Sequence, residues 1–163
     1  MSILETAPLA AIAPFAKPPQ AARALAGEPR LWEPLVRFDP TTRVHERLLV
    51  APGWEAWVLT WLPGQGTAIH DHGGSAGAFV VVRGALTEET YGFRRADDPP
   101  VRRLDVGRLR TFSARHVHRV TNTGTEPAVS VHVYSPAIAT MTTYSVVGTS
   151  LATLGIERAG VDW

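Results

Sequence analysis

Beyond about residue 36 the apolar side chains fall in short runs rich in β-branched and aromatic residues. These are "EAWVLTW" (55–61), "AFVVVRGALTEETY" (78–91), "RLRTF" (108–112), "HRVTN" (118–122), "AVSVHVYS" (128–135) and "TTYSVVG" (142–148). Gly, Pro and Asp clusters such as "PGQG", "ADDPP" and "NTGTEP" separate them, which is the signature of strands joined by turns. Many short strands without alternating helices predict an all-β sandwich or closed barrel. The N-terminal part has another character. Residues 1–20 are rich in Ala and Pro and read as a loose lead-in. From Pro18 to about Val36, helix-forming alanines are broken by Gly27, Pro29 and Pro34, which predicts one or two short helices. The expected division is a helical lead-in over 1–36 packed on a β-barrel over 37–163, together one structural domain.

Composition narrows the function classes. A chain of 163 residues suits one core. A net charge of +1 with 19% charged residues is too balanced for a nucleic-acid groove or an anionic membrane surface, so a small-molecule partner is expected. Lys17 is the only lysine and the other fifteen basic residues are arginine, so any single arginine starts with little functional weight. The absence of cysteine excludes disulfides, cysteine-ligated zinc and a thiol nucleophile, and fits a reducing cytoplasm. The start "MSILETAPLAAIAPFAKPP" fits neither a secretory leader nor an anchor, and no apolar run approaches the roughly 20 residues that cross a bilayer. A cytoplasmic monomer is the expectation.

The candidate chemistry lies in "HDHGGSAG" (70–77). In an extended strand His70 and His72 project from one face while Asp71 points away, so two imidazoles can clamp one ion. Two unrelated surface histidines would look the same in isolation. A useful site needs a third ligand, sought among His45, His116, His118 and His132. His45 stands in "HERLL", which lacks the second histidine of the zinc-protease helix motif.

Two separated patterns resemble the cupin motifs. Gly64, His70, His72 and Gly84 have the spacing of the first; Gly107, His118 and Asn122 have that of the second, with Ser113 and Arg115 in place of its usual proline and glycine. The resemblance implies that His118 is the third ligand and that His116 is a rim residue. The commonest cupins add a glutamate four or five residues after the histidine pair, but Ala76 and Gly77 stand there. The metal would then keep three neutral imidazoles and positions open to an anionic substrate. A thiolate suits, because sulfur is a soft donor that iron accepts.

"WLPGQGTAIHDH" and "HRVTNTGTEPAVSVHVYSP" further resemble the thiol dioxygenases, above all the cysteine dioxygenases. That resemblance implies ferrous iron, Fe(2+), on His70, His72 and His118, and addition of both atoms of O2 to a substrate thiol to give a sulfinate. Animal members have a cysteine at the position of Gly77, crosslinked to the tyrosine that matches Tyr134; glycine there moves the match to the bacterial branch. From alternation alone, Val129, Val131 and Val133 would face a core and Ser130, His132 and Tyr134 would face water. The resemblance instead turns the polar trio inward as a hydrogen-bond relay, with the valines packed under the N-terminal helices. "VHERLLV" resembles the segment carrying the substrate-carboxylate arginine, which implies Arg47 for that role, with His45 and Trp61 beside it and Arg43 as a rival. An arginine here favours L-cysteine over 3-mercaptopropionate or mercaptosuccinate. A non-enzymatic metal-binding sensing module is the alternative from another class. The Ser135–Pro136 step matches a cis peptide in the family.

Overall fold

The computed structural model describes residues 17–159, 161 and 162; the lead-in expected over 1–16 lies outside them. Helix α1 (Pro18–Ala26) opens with proline in its first turn, where no intrahelical N–H bond is lost. Helix α2 (Pro29–Trp32) and a single 3-10 turn (Glu33–Leu35) follow. Among the described residues, eleven antiparallel strands then form two sheets. They are β1 (His45–Ala51), β2 (Trp54–Trp61), β3 (Ile69–His70), β4 (Ala76–Arg83), β5 (Ala85–Tyr91), β6 (Val101–Asp105), β7 (Leu109–Phe112), β8 (Val117–Thr121), β9 (Ala128–Ser135), β10 (Thr140–Val147) and β11 (Ser150–Arg158). One sheet has the order β1-β2-β9-β4-β7 and the other β11-β10-β3-β8-β5-β6. The strand pattern predicts an all-β sandwich or closed barrel, and the observed architecture is one, in the jelly-roll form that the cupin resemblance implies.

The five-stranded sheet is covered on both faces, which explains why every residue of β2 is buried. On its outer face Val129, Val131 and Val133 join Ala56, Val58, Ala78 and Val80 beneath Ala21, Ala22 and Leu25 of α1 and Trp32 of α2. On its inner face Trp57, Leu59, Trp61, Phe79 and Val81 meet Leu86, Leu104 and Val120 of the other sheet. Burying two faces of β9 consumes its whole alternation: valines go to the helices, and Ser130, His132 and Tyr134 go to the interior. The run 78–91 breaks at Gly84, whose φ of 69° and carbonyl neighbour at Pro127, 2.6 Å from where a Cβ would sit, admit only glycine. Ser135–Pro136 is cis. Strands β1, β6 and β11 go beyond the runs that the hydrophobic pattern predicts.

Candidate metal centre and its cavity

Three histidines converge between the sheets. His70 ends β3 and pairs with His118 on β8. His72 lies just past β3, in a loop that Asp71 ties down: the Asp71 carboxylate accepts from Thr142 N (3.1 Å), Gly73 N (2.9 Å) and Tyr144 Oη (2.7 Å). Asp71 thus faces away from the pair, and its task is to anchor the loop to β10. The three rings stand 4.8–5.0 Å apart by centroid, and one nitrogen from each lies within 4.8 Å of the others.

Hydrogen bonding sets which nitrogen is available. Nδ1 of His70 is 2.9 Å from the Ala68 carbonyl, which can only accept, so this nitrogen carries the proton and Nε2 is bare. Nδ1 of His118 meets Glu88 Oε1 at 2.9 Å in the same way. His72 is 1% exposed, yet neither of its ring nitrogens has a partner. Buried polar atoms are ordinarily hydrogen-bonded, so an imidazole orphaned beside two others fits a metal ion as its missing partner. Burial, followed by repulsion from His118, pushes the His70 pKa down to about 3. Burial and the neighbouring histidines hold His72 far below its ordinary value, and burial lowers His118 despite Glu88. All three are neutral near pH 7, the form that ligates metal.

Behind the trio lies a carboxylate that sequence reasoning missed. Glu88, on β5, is 1% exposed and accepts from His118, from His116 Nε2 (3.0 Å) and from Arg110 Nε. Burial pushes its carboxyl up, but these three donors outweigh burial and keep it ionised, below the usual carboxylate range. His116, expected at the rim, is only 10% exposed and belongs to this cluster. One signal was available: Glu88 shares the parity of inward-facing Leu86.

The space left by the absent ligand at position 77 is filled. A Cβ on Gly77 would lie 2.4 Å from Cζ of Phe112, whose ring stacks on His72 at 4.6 Å between centroids. Gly77 pairs with Tyr134 across β4 and β9. Along β9 the polar trio forms a continuous chain. The Trp61 indole, donor only, gives its proton to Ser130 Oγ (2.9 Å); Ser130 lies 2.8 Å from His132 Nε2, and His132 Nδ1 lies 3.1 Å from Tyr134 Oη. If Ser130 is to use its own proton, it donates to Nε2, and the neutral His132 then donates from Nδ1 to the phenol oxygen. Tyr134 keeps its proton for another acceptor. Burial, then the proximity of Arg43, lowers the His132 pKa well below its usual value, and burial raises that of Tyr134.

A cavity of about 530 Å³ opens onto His70 and His118, with Arg43, His45, Trp57, Trp61, Tyr134 and Glu157 in its wall. Here the placement of the arginines differs from expectation. Arg47 shares the parity of His45 but sits farther along β1, exposed, with its guanidinium 5.1 Å from the Trp57 ring centroid, and it is absent from the cavity wall. Arg43, just before β1, is the guanidinium in the cavity: its Cζ stands 4.7 Å over the Trp61 ring and its Nη1 is buried without a partner. His45 packs near Trp57, ring centroids 5.8 Å apart.

The model of the cysteine dioxygenase type I family matches residues 19–146. The chain belongs to this family. Human cysteine dioxygenase type 1 is 30% identical over 119 residues, covering 67% of this chain and 58% of the human protein. The zebrafish (Danio rerio) enzyme is 31% identical over 133 residues, covering 71% and 62%. The chain thus aligns with less than two thirds of these cysteine dioxygenases. Solved structures agree on the fold: a Klebsiella pneumoniae protein with a double-stranded β-helix domain superposes with a TM-score of 0.56 at 21% identity, covering 74% of this chain and 91% of that one. An RmlC-like cupin from Desulfovibrio desulfuricans gives 0.54 at 20% identity, covering 63% and 91%. Among the described residues no helix is long and apolar enough to cross a membrane.

Proposed function

We propose that the chain is a thiol dioxygenase that converts L-cysteine and O2 to cysteine sulfinate, with ferrous iron held by His70, His72 and His118. The observation that carries this reading is a cavity lined by His70, His118 and Arg43, with Arg43 Nη1 buried and unpartnered, beside a His72 ring whose two nitrogens are also unpartnered. Bound iron would supply the redox chemistry and a shared point of attachment for thiol and oxygen. The chain's own residues do the rest.

Arg43 takes the substrate carboxylate on Nη1, exchanging an orphaned buried donor for a charge-assisted hydrogen bond. With the carboxylate fixed, the thiol of a three-carbon acid is confined to an arc facing the histidines, and confinement replaces a chance encounter. His132 and Ser130 hold the Tyr134 phenol with its proton directed into the cavity, where it can donate to sulfur or oxygen as negative charge shifts between them. Trp61 does double duty, supporting Ser130 through its indole N–H and Arg43 through its ring face. In the overall reaction both oxygen atoms end on sulfur and the thiol proton is released, so no external reductant is needed.

Charge in the wall supports cysteine over mercaptosuccinate. Arg43 is the one cation and Glu157 the one anion of formal charge among the described lining residues, His aside; a second substrate carboxylate would meet Glu157, whereas the cysteine ammonium tolerates it. The test is oxygen uptake by iron-loaded protein with L-cysteine, 3-mercaptopropionate, cysteamine and mercaptosuccinate in parallel, with the product identified. Uptake greatest with L-cysteine, yielding the sulfinate, is expected. Absence of thiol-dependent uptake from a fully loaded sample would overturn the proposal in favour of a non-enzymatic metal-binding module.

A further inference from the structure

The carboxylate missing from position 77 has a counterpart one hydrogen bond behind the histidines. Glu88 reaches across from β5, and its two oxygens are used differently. Oε2 pairs with Arg110 of β7, linking the two sheets. Oε1 receives both His118 Nδ1 (2.9 Å) and His116 Nε2 (3.0 Å). Were Glu88 present only to join the sheets, the Arg110 contact would suffice, and a buried ion pair is weak evidence for stability in any case. The second oxygen, aimed at a candidate ligand, asks for another explanation.

We propose that Glu88 is a positioning residue for the metal: it aims His118 and makes it the strongest donor of the three histidines, while Arg110 and His116 limit how much charge it passes on. This rests on the reading of His118 as a metal ligand. The three imidazoles are backed unequally. His70 donates to a neutral backbone carbonyl, Ala68 O. His72 has no hydrogen-bond partner at either nitrogen. Only His118 donates to an ionised carboxylate, and an anion behind Nδ1–H raises the basicity of Nε2 on the far side of the ring. The anionic character that other metal sites obtain from a directly bound carboxylate is thereby relayed through an imidazole, leaving the direct position to Phe112 and Gly77. Arg110 and His116 draw on the same carboxylate. Removing either frees more of its charge for His118.

This gives effects of opposite sign, which structural damage would not produce. The ferrous affinity of wild-type, Glu88→Gln, Arg110→Gln and His116→Phe proteins is measured anaerobically by competition with a chromogenic chelator, with folding of each metal-free protein checked by near-UV circular dichroism. Glu88→Gln is expected to weaken iron binding about 10- to 100-fold, whereas Arg110→Gln and His116→Phe strengthen it. A folded Glu88→Gln protein that binds iron as wild type does, or weakening in all three variants, would overturn the proposal. If Glu88→Gln fails to fold, the other two decide: tighter binding supports Glu88 as positioner, and unchanged or weaker binding overturns it. A wild-type protein that retains no iron would instead sink the metal reading beneath it, and a loaded protein that oxidises no thiol would leave this result standing.

Discussion

Arg43 and Arg47 are four residues apart with the same parity, yet only one reaches the cavity. Their separation along an extended chain is about 13 Å, more than a cysteine can bridge, so the two make different demands on the substrate. Arg43→Gln should raise the Michaelis constant for cysteine about 10- to 100-fold, the worth of one charge-assisted bond, and barely change that for cysteamine, which lacks the carboxylate. Arg47→Gln should leave both near wild type. Parallel steady-state measurements check this; an equal loss on both thiols at Arg43 would refute its role as the carboxylate partner. The arginine was hard to read because spacing fixes parity, but register along β1, including the irregularity between Arg47 and Leu49, fixes position. The convergence of His70, His72 and His118 was legible from the i, i+2 spacing of the pair and from the family resemblance, which implied the third, although His72 lies in the loop past β3 and not on a strand. Glu88 was harder to read: parity with Leu86 is its one local signal, and the partners that bury its charge stand 22, 28 and 30 residues away.

At the scale of elements, β4, β7 and β9 meet where Gly77, Phe112 and Tyr134 lie together. Gly77 pairs with both Phe112 and Tyr134, and a side chain there would press on the Phe112 ring (2.4 Å) and the Val133 carbonyl (2.7 Å). Gly77→Ala should therefore cost about 1–3 kcal/mol by overpacking, and by pushing Phe112 off His72 it should weaken metal retention as well. Adding Phe112→Leu should recover part of both losses, since the two positions share one volume and are coupled. Chemical denaturation of the two single variants and the double variant measures it, and strict additivity would show that Phe112 is not what excludes the side chain. Legibility followed burial at this scale. Strands β2 and β9, covered on both faces, announce themselves by β-branched and aromatic content. Strand β11 leaves Leu154 and Ile156 71% and 62% exposed, and β6 leaves all but Leu104 exposed, so neither carries a core pattern; pairing with β10 and β5 makes them strands.

Taken whole, the molecule encloses four neutral histidines, and that has a consequence for its stability in acid. Burial in first place, with the charges of neighbouring groups, lowers His70, His72, His118 and His132 from an ordinary value of 6.5; His70 falls to about 3. In the unfolded chain these imidazoles take up protons as pH drops through 6.5, whereas in the folded metal-free protein they do not until far lower. The unfolded state therefore binds more protons in this window, and stability falls as pH falls. The contribution is fully present above the unfolded value and is lost progressively from about pH 6.5 toward pH 3. Glu88, held below its usual range, adds to the loss in the same direction once the pH passes below the ordinary carboxylate value. The urea midpoint of the metal-free protein should be nearly flat between pH 8 and pH 7, then decline steadily through pH 5, well before ordinary carboxylates protonate. His132→Gln should make that decline shallower, because one of the protons that drive it is gone. A midpoint constant from pH 8 to pH 5 would mean that the interior admits the imidazolium form, and the neutral state assigned to the candidate metal ligands would fall with it.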